Sequence, residues 1–123
     1  MTAKRVLIVE DQGIIALDEE QIMRDLGYEV VGIAISGEQA VRIATETKPD
    51  VVLMDIKLAG EMDGREAAAK IQQNLNIPVV FVTAYGVTEG PAPLRTIPAD
   101  GIGYIVKPFT QEGLECEIKR LSQ

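Results

Sequence analysis

Histidine and tryptophan are absent from this chain of 123 residues, and cysteine occurs once, at Cys116. Without histidine there is no Ser-His or Cys-His pair and no imidazole proton shuttle. A single cysteine cannot close an internal disulfide or build an ordinary zinc site, so a reducing, cytoplasmic setting is expected. Basic residues are outnumbered: 12 Lys and Arg against 19 Asp and Glu leave a net charge of −7. That balance argues against direct nucleic-acid binding, where a basic surface is expected. No apolar stretch approaches the roughly 18 residues of a membrane span. The run after Met1-Thr2-Ala3-Lys4-Arg5 is too short for a secretory signal. Chemistry must therefore rest on carboxylates, hydroxyls, amines and backbone.

What is present reads as one domain, residues 1–123, with 46 % hydrophobic residues to fill a single core. Short apolar runs alternate with helical patterns. Strands are expected over Arg5–Glu10, Glu29–Ala34, Val51–Asp55, Ile77–Thr83 and Gly103–Val106. The first helix runs to Leu26, with Ile15, Ile22 and Leu26 on its inner face and Gly27 just past its end. Ser36 and Gln39 fit a capping box before a helix that packs through Ala40, Ile43, Ala44 and Thr47 and stops before Pro49. Gly64, Ala68, Ile71 and Leu75 form a third helical stripe, and Thr110 caps a last helix facing inward through Leu114, Ile118 and Leu121. Between Tyr85 and Gly103, Gly86, Gly90, Pro91, Pro93, Pro98 and Gly101 disfavour a regular helix. The expected fold is α/β, a doubly wound five-stranded parallel sheet with its fourth helix short or replaced by a loop.

The polar residues that end these strands converge. In a parallel sheet all carboxyl ends share one edge, where ligands bind. Glu10 and Asp11 follow the first strand, Asp55 ends the third, Thr83 the fourth, and Lys107-Pro108-Phe109 follows the fifth. Each alone reads as an ordinary turn residue or cap. Together they bring three carboxylates, a hydroxyl and an ammonium to one edge. Packed acids repel one another, and a bound Mg²⁺ relieves that repulsion through oxygen ligands. Asp55 can attack phosphorus as a nucleophile, while Thr83, the Ala84 N–H and Lys107 suit the oxygens of a phosphoryl group.

The constellation Glu10-Asp11, Asp55, Thr83 and Lys107-Pro108-Phe109 resembles the receiver domain of bacterial two-component response regulators, over the whole chain. The resemblance implies the flavodoxin-like strand order 2-1-3-4-5. It implies that Asp55 accepts a phosphoryl group from a phosphohistidine on a partner, a sensor histidine kinase or histidine phosphotransfer protein. It also implies that Asp11, Glu10, Asp55 and the Lys57 carbonyl hold Mg²⁺, with Mn²⁺ as a substitute. Thr83, the Ala84 N–H and Lys107 would bind phosphate, Thr83 and Tyr104 would form the switch, and Lys57 and Tyr85 would govern dephosphorylation. A downstream protein, or a second copy of the chain after phosphorylation, would read the result. On this reading the chain is no enzyme beyond its own phosphorylation and dephosphorylation.

Two departures stand out. Ala59 occupies the place where the family usually has proline, and Met62-Asp63-Gly64 arrives one residue late. The Gly/Pro-rich stretch replaces the family's fourth helix. Three other readings compete. An Mg²⁺-dependent phosphatase with an Asp nucleophile wants a second Asp two residues on, where Lys57 stands. A flavin binder wants a neutral anion loop after the first strand, where Glu10-Asp11 would repel phosphate. A phosphorylation-independent interaction module would not need Asp55, Thr83 and Lys107 intact.

Overall fold

In the computed structural model, residues 4–55, 64–83, 102–106 and 110–121 are described; for Thr83, Ile102, Tyr104 and Val106 the description covers the backbone. Five strands, β1 (Arg5–Val9), β2 (Glu29–Ala34), β3 (Val51–Asp55), β4 (Val79–Thr83) and β5 (Ile102–Val106), form one sheet in the order β2-β1-β3-β4-β5. Every neighbouring pair is parallel. The helices are α1 (Gly13–Asp25), α2 (Gly37–Thr47), α3 (Gly64–Leu75) and α4 (Gln111–Leu121). Both the fold class and the strand order agree with the sequence reading. The segment between β4 and β5, with its expected short helix or loop, lies outside the described residues.

Alternate residues of the central strands go to opposite faces, which divides the core in two. Leu7, Val9, Val52, Met54, Val79 and Phe81 pack on one face against Ala40 and Ala44 of α2 and Ala67, Ala68 and Ile71 of α3. Val6, Ile8, Leu53, Val80, Val82 and Ile105 pack on the other against Met23 of α1 and Leu114 and Ile118 of α4. Burial on both faces explains why β1, β3 and β4 read as unbroken apolar runs. Burying each large aliphatic contributes roughly 1.5–3 kcal/mol.

The helix ends follow their sequence signals. Ser36 Oγ accepts the Gln39 N–H at 3.1 Å. The Gln39 side chain accepts from the Ile35 N–H at 2.7 Å, one residue before the N-cap that a capping box would engage. Thr110 Oγ1 accepts the Gly113 N–H at 3.0 Å at the start of α4. After α1, the Tyr28 N–H donates to the Met23 carbonyl and the Gly27 N–H to the Arg24 carbonyl, with Gly27 at φ 92°. That is a Schellman stop, and only glycine takes it without strain. Lys48 ends α2 at φ 48°, since Pro49 disfavours continued helix.

Four local expectations shift, one of them the start of β5, which is Ile102 rather than Gly103. The α1 face turned inward centres on Ala16, Glu19 and Met23. Ile22 and Leu26 pack at its margin. β1 ends at Val9 rather than Glu10, and β4 begins at Val79 rather than Ile77. Between β1 and β2 the register slips, Val6 opposing Val30 and Leu7 opposing Gly32. Gly32 lies at that irregularity, where a Cβ would be in ordinary van der Waals contact with Ile43 of α2 at 3.4 Å.

Candidate metal and phosphoryl site

The carboxyl edge gathers the acids because β1 and β3 are adjacent and in register. Val9 lies opposite Met54, so the next residues, Glu10 just past β1 and Asp55 at the end of β3, come side by side. The Glu10 N–H extends the β1–β2 pairing by donating to the Ala34 carbonyl at 2.9 Å. Its side chain is 1 % exposed. One carboxylate oxygen, Oε2, accepts the Gln12 N–H at 3.2 Å. Asp11 is exposed and Asp55 half-buried.

Glu10, Asp11 and Asp55 each offer a ligand oxygen, and these atoms lie within 4.8 Å of one another. That spacing fits one cation held by several acids. An all-oxygen, trianionic donor set matches a hard divalent ion such as Mg²⁺, which keeps waters in its remaining positions. A buried carboxylate beside two others is otherwise costly, since burial and like charge both disfavour the ionised form. The residues present therefore fit the metal.

Thr83 closes β4 and pairs with Val106 of β5. The backbone thus carries Thr83 and the end of β5 to the same edge as Asp55, which pairs with Val82. Tyr104 lies within β5 opposite Phe81. Lys57, Ala84, Tyr85 and Lys107 lie outside the described residues. Two features of α1 were not read from the sequence. Glu19, one turn before Met23 on the inner face of α1, is only 4 % exposed. Ile14 and Leu17, on the first turns of α1 after the acid pair, are 86 % and 62 % exposed. Neither lies on the stripe of Ile15, Ile22 and Leu26 that the sequence turns inward.

The opposite, amino-terminal end of the sheet carries a different electrostatic feature. Asp50 accepts the Arg5 N–H at 2.7 Å, and the Arg5 guanidinium donates to the Thr47 carbonyl at 2.6 Å. Tyr28 is half-buried there, and its hydroxyl pKa is raised, first by burial and then by the negative charges of Glu115 and Asp50. Among the described residues, no helix is long and apolar enough to cross a membrane.

Residues 6–119 match the response regulator receiver domain family. The transcriptional regulatory protein PdtaR of Mycobacterium tuberculosis is 39 % identical over 107 residues, covering 87 % of this chain and 51 % of PdtaR. The chain thus spans about half the length of that relative. Among solved structures, the signal receiver domain of a modulated diguanylate cyclase from Desulfovibrio desulfuricans G20 superposes with a TM-score of 0.86 at 33 % identity, covering 98 % of this chain and 94 % of that one. The receiver domain of the sensor histidine kinase PA1611 from Pseudomonas aeruginosa PAO1 superposes with a TM-score of 0.84 at 28 % identity, covering 98 % of each chain. That domain carries a magnesium ion coordinated in its active site cleft.

Proposed function

Because this chain belongs to the response regulator receiver domain family, we propose that Asp55 is its phosphoacceptor in a two-component phosphorelay. The observation that carries this reading is the convergence of Glu10, Asp11 and Asp55 within 4.8 Å at the carboxyl edge. The donor is a phosphohistidine on a sensor histidine kinase or histidine phosphotransfer protein, since this chain has no histidine of its own. In the transfer an Asp55 carboxylate oxygen attacks phosphorus. The new O–P bond forms as the donor's N–P bond breaks, and the imidazole nitrogen leaves with its electron pair.

Asp11, Glu10, Asp55 and the Lys57 carbonyl would hold Mg²⁺ or Mn²⁺, supported by the all-oxygen donor set and by the magnesium in the PA1611 domain. The metal supplies positive charge against the phosphoryl oxygens. Thr83, the Ala84 N–H and Lys107 take the remaining oxygens, and Lys107 balances the acids before transfer. Thr83 moving toward phosphate, with Tyr104 following, is the switch. Lys57 and Tyr85 control hydrolytic water. The response is read by a downstream protein or by a second copy of the chain. The setting is the cytoplasm, and residues 1–123 act as one receiver domain.

Incubation with acetyl phosphate and Mg²⁺ tests this. Intact-mass spectra should gain one phosphoryl group in the wild type and none in Asp55→Asn. An equal gain in the variant would remove Asp55 from the role.

A further inference from the structure

We draw no further inference here: the strongest candidate, the surface patch of exposed Ile14 and Leu17 on the first turns of α1 with Ile35 just past β2, borders the site already described, and nothing in the structure shows what covers it.

Discussion

Carboxylates with different surroundings divide the work at the residue scale. Asp11 is exposed at the cluster, whereas Asp18 is exposed on α1 and is no member of it. Asp11→Ala should therefore weaken Mg²⁺ binding by more than about tenfold, the least expected for losing a ligand when outer-shell losses already reach that size. Asp18→Ala should leave it nearly unchanged. Calorimetric titration of both variants checks this, and equal affinities would exclude Asp11 from the site. Tyr28 gives a pH signature at the other end of the sheet. Its pKa is raised by burial and by Glu115 and Asp50, so folding favours the neutral phenol. That stabilisation is fully present below the unfolded value near 10 and is lost as pH rises through the folded value. Urea melts across alkaline pH should show a shallower decline in Tyr28→Phe than in the wild type.

Caps and close approaches decide where the chain turns at the scale of elements. Ser36→Ala removes the bond to the Gln39 N–H and should cost about 1 kcal/mol, read as a lower urea midpoint with an unchanged slope. Gly103 lets α4 lie close on β5. A Cβ there would fall 2.8 Å from Glu117 Oε2 and 3.0 Å from Leu121 Cδ1. Gly103→Ala should cost less than the about 1–3 kcal/mol of a rigidly overpacked site, because the carboxylate end of Glu117 can swing aside while Leu121 gives by a few tenths of an ångström. A melt showing a loss in the full range would mean that Glu117 and Leu121 are held rigidly on β5. These stops and starts were legible because Ser36, Gly27, Pro49 and Thr110 act through local hydrogen bonds and fixed dihedrals. The inner face of α1 was not, because Ala16 and Glu19 are buried by tertiary packing while Ile14 and Leu17 stay outside. The register slip at Val6 and Leu7 also escaped notice, since it belongs to the pairing of two strands distant in sequence and not to either strand's own pattern.

For the whole molecule, sheet topology makes the site. Strand order β2-β1-β3-β4-β5 puts β1 beside β3, so residues 45 apart in sequence, Glu10 and Asp55, meet at one edge. The apolar runs of β1, β3 and β4 were readable because strands buried on both faces lose the polar alternation. Strand order itself came from resemblance, since periodicity does not rank neighbours. On the proposed function, this edge makes Asp55 a metal-dependent phosphoacceptor. Fragment mass spectrometry after acetyl phosphate treatment tests it most directly, by locating the phosphoryl group on the chain. It should lie on Asp55 alone when Mg²⁺ is present and be missing when EDTA is added. A phosphoryl group on another residue, or one on Asp55 that forms equally well in EDTA, would contradict the account.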